Sequence, residues 1–317
     1  MDENKTTAIS RAGFLRSAGL ITAGFLSAPR DIFAQTSPVI TIKKSAATTP
    51  ITVQALRGDI HVFQGSGGNI SVFNGRDGKL MVDAGIAVSK ERIRTALAGI
   101  SGEPLKYLIS THWHFDHADG NEWVHKEGAT IIGHEKTRRN LSRTIRVVDW
   151  DYTFQPMPAG ALPTVVFKDE YHLDFNGSKI HMKYYSPAHT DCDISVYFPH
   201  ADILHVADTW WNPYYPFIDH SSGGSLDGMI DACGRNLKMA TDKTIIVPGH
   251  GAVGNRAQLA EFRDMLVAVR HNVSRLKKEG HSLADTIKAK PTAAFDDKWG
   301  QYVLDGAFFT KLVYADV

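Results

Sequence analysis

Three histidines and one aspartate fall within six consecutive positions of this 317-residue chain: His112, His114, Asp116 and His117. They follow the apolar run Leu105–Ser110, which is typical of a buried β-strand. Because residues two apart at the end of a strand point the same way, His112 and His114 can bind one cation together, and Asp116 and His117 can face a second. Neutral imidazole and carboxylate are ligands that suit zinc and similar first-row metals. The cluster therefore predicts a metal site.

The spacing His-x-His-x-Asp-His, with four further residues in order, resembles the metallo-β-lactamase superfamily. Asp83, after an apolar stretch, is similar to the aspartate of the family's first motif. His189, in a Pro-Ala-His-Thr segment, is similar to its third histidine, and His250, in Pro-Gly-His-Gly, to its last ligand. Asp208 lies where many members place a metal-bridging carboxylate. The resemblance covers residues 51–250.

The residues themselves agree with these assignments. The three later ligands, His189, Asp208 and His250, each follow an apolar, β-branched stretch, and loops at strand ends can gather distant residues at one edge of a fold. Taken singly, each histidine is equally compatible with a surface position, and Asp208 with a cap or turn. Asp83 is predicted to support the ligand loop by hydrogen bonding rather than to bind metal.

The resemblance implies two zinc ions, or other divalent metals, held by seven residues: His112, His114 and His189 on the first, Asp116, His117 and His250 on the second, and Asp208 between them. Two metals roughly 3.5–4 Å apart share one water-derived ligand and lower the pKa of that water towards about 7, which gives a hydroxide near neutral pH. Asp116 would also orient this hydroxide, which makes it the catalytic candidate. The implied reaction is hydrolysis of a small-molecule ester, lactone, thioester or lactam.

Three alternatives stay open. In superfamily β-lactamases with Cys at the position of Asp208, a Lys three residues later binds the carboxylate of the drug; Trp211 stands there in this chain, so β-lactam hydrolysis is the weaker alternative. Asp208 instead resembles the arrangement in glyoxalase II and the lactonases. The other two alternatives are a mononuclear iron dioxygenase of the same fold, which needs fewer ligands, and a non-catalytic metal-binding scaffold.

Aromatic residues crowd the segment after Asp208. Trp210, Trp211 and Tyr214 can line a substrate cleft beside the metals or belong to the core at the edge of the fold. The first interpretation predicts an apolar or aromatic ester or lactone as substrate. Residues 147–162, rich in aromatics and proline, are predicted to form a long loop.

Strands and helices alternate along the chain in two similar halves. This pattern predicts an α/β (α+β) fold, and the resemblance specifies a four-layer αβ/βα sandwich. We expect one domain over residues 51–317, with a helical C-terminal segment at 256–317. Residues 35–50, rich in Ser, Thr, Pro and Ala, are predicted to be a linker.

Residues 1–34 resemble an export signal, with a basic region followed by small and apolar residues. We therefore expect a periplasmic or secreted protein. Arg11 and Arg16 do not form a twin-arginine pair because Ala12 takes the place of the second arginine, so the export route is open. A buried N-terminal helix is the alternative. The apolar stretch is too short for a stable membrane anchor.

The formal net charge is +1, so no general electrostatic attraction to nucleic acid is expected. The basic run at residues 136–146 is predicted to be a solvated helix face rather than an anion-binding patch. Cys192 and Cys233 can form a disulfide in an oxidising compartment or remain two buried thiols. Nothing in the sequence indicates an oligomeric state.

Overall fold

Two β-sheets form the centre of the computed structural model, which describes residues 37–185 and 187–317. The strands of the first sheet are β1 (Thr52–Ala55), β2 (Ile60–Gln64), β3 (Ile70–Gly75), β4 (Gly78–Val82), β5 (Leu105–Ser110), β6 (Thr130–His134) and β9 (Val165–Phe167). The strands of the second are β10 (Glu170–Phe175), β11 (Ser178–Tyr184), β12 (Ile194–Phe198), β13 (Ile203–Asn212), β14 (Ile245–Gly251) and β15 (Gly254–Asn255). Strands β7 (Ile145–Val147) and β8 (Tyr152–Phe154) form a separate hairpin.

Ten helices accompany these strands in the described part of the chain: α1 (Pro38–Ala46), α2 (Lys90–Ile100), α3 (Phe115–Ala118), α4 (Asn121–Lys126), α5 (Glu135–Leu141), α6 (Leu226–Met239), α7 (Arg256–Lys278), α8 (Leu283–Lys288), α9 (Asp296–Trp299) and α10 (Gly306–Asp316). Each of the longer ones buries an apolar stripe, as α7 does with Leu259, Phe262, Leu266 and Val269.

The two sheets pack face to face through apolar side chains, among them Val62 and Leu80 of the first sheet and Met182 and Val196 of the second. Helices α2 and α4 cover the outer face of the first sheet, and α6, α7 and α10 cover that of the second. The order of layers is therefore helix, sheet, sheet, helix. The predicted four-layer αβ/βα sandwich is confirmed.

The prediction of a linker over residues 35–50 is wrong in the described part of that segment, because it contains α1. Ser37 caps the helix by accepting a hydrogen bond from the backbone N–H of Val39, and Pro38 is its first residue. Val39 and Ala46 are buried. The Ser/Thr-rich composition concealed a helix that is stabilised by packing against the rest of the fold.

The prediction of a loop over residues 147–162 is also wrong. The hairpin β7–β8 occupies its first half, and short 3₁₀ turns lie at Val148–Trp150 and Ala159–Ala161. Three-residue strands are too short to show an alternating pattern in the sequence.

Strands β4, β5 and β6 are parallel neighbours in the first sheet, and β13 and β14 are parallel in the second. Their carboxyl ends converge at one edge of the sandwich, where the metal-ligand side chains lie. No helix in the described part of the chain is long and apolar enough to cross a membrane. The expected export signal at residues 1–34 lies outside the described residues.

Candidate metal centre

All seven predicted ligands lie together at this edge, and all are buried. His112 and His114 come from the loop after β5 rather than from the strand itself, and Asp116 and His117 lie on α3. His189 is in the loop between β11 and β12. Asp208 and His250 lie inside the last parts of β13 and β14, which run further than the sequence predicts.

The ligand atoms form two groups, each of them with its atoms within 4.8 Å of one another. One consists of His112, His114, His189 and Asp208, and the other of Asp116, His117 and His250. Apart from Asp208, which was expected between the two groups, this division is the one that the family resemblance implies. Each group could hold a metal ion.

The imidazole of His114 is oriented by Asp219. His114 Nε2–H donates to Asp219 Oδ2 at 2.9 Å, and Ser222 Oγ donates to the same oxygen at 2.6 Å. His189 Nδ1–H donates to the carbonyl of Phe217 at 2.7 Å, which can only accept. The remaining ring nitrogens, His114 Nδ1 and His189 Nε2, face each other at 2.8 Å. This separation is that of a hydrogen bond with one proton between the two nitrogens, and a metal ion that bound both of them would replace that proton.

Asp83 orients His117 directly and His112 through Thr111. Its Oδ2 accepts hydrogen bonds from His117 Nδ1–H and from the Thr111 hydroxyl, each at 2.8 Å, and its Oδ1 accepts the Thr111 N–H. The Thr111 oxygen then accepts His112 Nδ1–H at 2.9 Å. The opposite nitrogen, His112 Nε2, is buried and has no hydrogen-bond partner. An orphaned imidazole nitrogen at this position fits a metal ligand.

The carboxylate of Asp208 lies between the two groups. Its Oδ1 is 3.0 Å from His117 Nε2, and its Oδ2 is 3.3 Å from His189 Nε2 and 3.4 Å from His250 Nε2. It therefore occupies the position of a bridging ligand. An irregularity in the pairing of β13 with β14, where Ala207 has a φ of 46°, turns the Asp208 side chain into the site.

Charge at the site favours the binding of cations. Burial lowers the pKa of His112 well below its usual range and that of His189 to about 4, so both imidazoles are neutral. Burial acts the same way on His117 and His250, but Asp208 and its neighbouring carboxylates outweigh it and raise the pKa of His117, and that of His250 to about 9. Protons at these two histidines take the place that a metal ion would fill.

Two glycines allow the close packing of the ligands. A Cβ on Gly249 would lie 1.8 Å from Asp208 Oδ1, and a Cβ on Gly68 would lie 2.1 Å from His117 Cε1. Both distances are far inside van der Waals contact, so any side chain at either position would displace a ligand.

A cavity of about 40 Å³ lies beside the ligand groups. Around it, beyond the ligands, stand mostly apolar side chains, among them Ile42, Trp150, Trp211, Phe217, Tyr302 and Phe308. No lysine or arginine of the described residues lines it. The cavity therefore suits an uncharged, apolar group.

The three aromatics of the predicted pocket have different positions. Trp211 lines the cavity, with its ring 4.4 Å from that of His250. Trp210 is fully buried in the core instead, so its assignment to the pocket is wrong; neighbouring strand residues point to opposite faces. Tyr214 is outside the lining and stacks on Tyr302 at 4.5 Å.

Two residues near the site, Asp219 and Tyr302, were missed by the sequence analysis. Asp219 lies in a polar turn between aromatic and glycine-rich segments, where nothing in the pattern marks it. Trp150, from the aromatic segment 147–162 that the sequence analysis singled out, lines the cavity and stacks on Phe217 at 4.6 Å. Tyr302 lies in the C-terminal segment, far from every motif. The positions of Asp219 and Tyr302 in the sequence do not mark them, because each lies near the ligands only in the folded chain.

The remaining candidates take no part in the centre. Cys192 and Cys233 are both buried free thiols. The basic run is the surface of α5 and the strand after it. Two of its arginines pair with acids, Arg139 with Asp191 and Arg146 with Asp151.

The family model of the metallo-β-lactamase superfamily matches residues 64–250, more than half of the chain. The chain belongs to the metallo-β-lactamase superfamily. The matched range ends at His250, so the superfamily pattern contains all seven ligand positions and Asp83 but not Tyr302.

Known proteins of two kinds are similar to this superfamily member. A linear primary-alkylsulfatase from Pseudomonas sp. is 23% identical over 261 residues, which are 69% of this chain and 49% of the relative. The structure of the inverting sec-alkylsulfatase Pisa1 from Pseudomonas sp. has a TM-score of 0.64 and 14% identity, and covers 90% of this chain and 54% of its own. A metallo-β-lactamase from Pontibacter korlensis has a TM-score of 0.57 and 17% identity, and covers 68% and 99%. The chain spans about half the length of the alkylsulfatases.

Proposed function

We propose that this protein is a hydrolase with about two zinc ions per chain that cleaves an uncharged, apolar ester or lactone. The observation that carries the proposal is the placement of the two ligand groups at the wall of an apolar cavity that no lysine or arginine of the described residues lines. An uncharged substrate needs no cation beyond the metals, and its apolar part gains from the lining.

The donor set fits the metals. Imidazole nitrogens with lone pairs directed at one point and a carboxylate between two groups are a set that zinc accepts, and other divalent metals remain possible. Bound metal ions supply Lewis-acid polarisation of a carbonyl and a water molecule acidic enough to deprotonate near neutral pH.

The chain's own residues would orient the reactants. Asp116 is slightly exposed towards the cavity, and its carboxylate can accept a hydrogen bond from the attacking water. Tyr302 lines the same cavity, and burial together with the nearby Asp116 carboxylate raises the pKa of its phenol. The phenol therefore stays protonated at neutral pH and can donate a hydrogen bond to the substrate's carbonyl or leaving oxygen.

Alkyl sulfates are the second candidate substrate class. Two relatives are named as alkylsulfatases, and an apolar cavity fits an alkyl chain. A sulfate ester nevertheless carries a negative charge, and no lysine or arginine of the described residues lines the cavity to bind it. β-Lactams carry a carboxylate and meet the same difficulty, since Trp211 takes the position of the lysine that binds it elsewhere. Esters and lactones are therefore preferred.

A substrate panel tests the proposal. Zinc-loaded protein would be assayed with p-nitrophenyl esters, lactones, thioesters, alkyl sulfates and a chromogenic β-lactam, beside a His114→Ala variant as a control for metal-dependent turnover. We expect kcat/KM to be highest for an ester or lactone and to be lost in the variant. Efficient turnover of β-lactams or alkyl sulfates, with none of esters and lactones, would reject the substrate assignment. If none of these substrates is hydrolysed, the result favours the scaffold or the dioxygenase alternative.

A further inference from the structure

We propose that Ile42 of α1 sets the size of the group that fits beside the metal centre, an inference that rests on the proposed hydrolase function. Ile42 and Pro38 line the cavity together with His114 and Asp116. Both lie N-terminal to residues 64–250, which match the superfamily. One wall of the cavity is therefore supplied by a segment that the superfamily pattern does not contain.

Helix α1 is fixed at both ends. At its start, the Ser37 hydroxyl donates a hydrogen bond to the carbonyl of Trp150 at 2.6 Å. At its end, the carbonyl of Ala46 accepts a hydrogen bond from the Ser89 hydroxyl at 3.1 Å and another from the Arg92 guanidinium. These contacts hold the helix as a wall in a defined position.

Contacts along the helix support the same position. Lys43 pairs with Asp119 at 3.1 Å, and its ammonium lies 5.6 Å from the ring centroid of Phe115. Val39 and Ile42 pack with Phe115 and Ile86 in one small apolar cluster. The inner side of α1 is therefore apolar where it meets the cavity, whereas Ile40 is 52% exposed on the outer side.

The cavity is small. Its volume of about 40 Å³ compares with the roughly 10–15 Å³ that one water molecule requires. The cavity is also lined by rigid rings, including Trp150 and Phe217, which are stacked on each other. Three branched aliphatic side chains of the described residues line the cavity beside these rings, Ile42, Val303 and Leu304, and Ile42 is the one that α1 supplies. It can be shortened without breaking the Trp150–Phe217 stack, so its length is the feature of this wall that limits how long an apolar group can enter.

Chain-length dependence of binding tests the inference. Acetohydroxamate and octanohydroxamate, which chelate zinc through the same head group, would be titrated into zinc-loaded wild-type protein and three variants. Ile42→Ala shortens the side chain that forms the proposed wall, and Ile42→Phe lengthens it. Ile40→Ala removes a similar side chain from the outer side of the same helix. Zinc content and thermal unfolding of each protein confirm that metal and fold are retained.

The expected result is a shift in the ratio of the two Kd values. Ile42→Ala should shift it towards octanohydroxamate by about tenfold or more, since one methylene in an apolar pocket already changes preference by about that factor. Ile42→Phe should shift it the other way, and Ile40→Ala should leave it unchanged. An unchanged ratio in Ile42→Ala, or equal strengthening of both ligands, would overturn the inference.

Ester turnover in the same preparations separates this inference from the proposed function. If Ile42→Ala shifts hydroxamate binding but no variant hydrolyses any ester or lactone, Ile42 limits the cavity and the proposed reaction is wrong. If esters are hydrolysed and the binding ratio does not respond to residue 42, the hydrolase proposal stands and the role of Ile42 is wrong.

Discussion

Several ligand histidines of the metal centre donate one ring N–H to a hydrogen-bond partner away from the site. That partner fixes the tautomer of the ring. Asp219, Asp83, Thr111 and the carbonyl of Phe217 each accept one ring N–H, and the opposite nitrogens are left to face the site. A metal ion binds only the unprotonated nitrogen, so these contacts prepare the site before any ion arrives. The histidine rings supply the nitrogen atoms that bind metal, and their hydrogen-bond partners determine which ring nitrogen is unprotonated.

Replacement of Asp219 tests this role. In Asp219→Ala, His114 loses the acceptor on Nε2, so its ring is free to rotate and to change tautomer. Zinc affinity should fall about 10- to 100-fold, measured by competition with a chromogenic chelator. Asp231→Ala, which removes a carboxylate from the exposed face of α6, is the control and should leave the affinity unchanged. Equal affinities in the two variants would contradict the assignment.

Replacement of Tyr302 tests its proposed hydrogen bond to the substrate. Tyr302→Phe removes only the hydroxyl, so kcat for an ester should fall about 100-fold, the effect typical of one donor to a developing oxyanion, while zinc content stays constant. Tyr214→Phe, on the ring that stacks against Tyr302, should change kcat less than about twofold. A Tyr302→Phe enzyme as fast as the parent would show that the phenol only packs.

The ligands could be predicted from sequence, and their partners could not. His112, His114, Asp116 and His117 are adjacent in the chain, so their spacing alone predicts a metal site. Asp219 lies 105 positions after His114 and meets it only through the folded chain. The residues that line the cavity are equally hard to predict from sequence. Trp210 and Trp211 are adjacent and of the same type, and only the alternation of side chains along the strand places Trp210 in the core and Trp211 at the cavity.

Among the elements, long periodic segments were predicted best. The predicted helical C-terminal segment begins at residue 256, as α7 does, because α7 has an apolar stripe of many residues and a capping side chain at its start. Helix α1 and the hairpin β7–β8 were missed because each is short and is stabilised by tertiary packing. These two missed elements carry Ile42 and adjoin Trp150, which shape the cavity.

The C-terminal helix α10 is tied to the fold by a pH-dependent contact. His220 Nε2 lies 3.2 Å from the carboxylate of Asp316, and the proximity of that carboxylate raises the pKa of His220. The same carboxylate accepts the backbone N–H of Leu226 at the start of α6. A protonated His220 therefore pairs with the carboxylate that joins α10 to the start of α6.

This contact should make the free energy of unfolding depend on pH. Because the pKa is raised in the folded state, the contribution is fully present below the unfolded value of about 6.5 and is lost as pH rises through the folded pKa. Its size should stay below about 1 kcal/mol, since the pair is partly exposed. The difference in denaturant unfolding between wild type and His220→Gln, measured across this range, should shrink with rising pH. A difference that does not vary with pH would contradict the assignment.

At the scale of the whole molecule, the cavity beside the metal centre is lined both by residues of the range that matches the superfamily and by residues outside it. The matched range, residues 64–250, contains every ligand. Ile42, Tyr302 and Phe308 lie outside it and line the cavity. Similarity to alkylsulfatases and β-lactamases over the shared sandwich therefore leaves the substrate open.

We also propose that the protein is exported, which the N-terminal sequence supports. The mature chain should then begin near Gln35 and accumulate outside the cytoplasm, because a cleaved signal ends in the small residue Ala34. N-terminal sequencing of protein from native cells, separated into cytoplasmic and exported fractions, tests this. Protein with Met1 intact in the cytoplasmic fraction would contradict export.

Metal content tests the central claim most directly. Elemental analysis of protein purified without chelator should give about two zinc ions per chain, because the seven ligands form two complete groups. His114→Ala and Asp116→Ala should each lower the zinc content while far-ultraviolet circular dichroism remains that of the folded chain. One iron per chain without zinc, or full zinc occupancy in both variants, would contradict a two-zinc centre built from these residues.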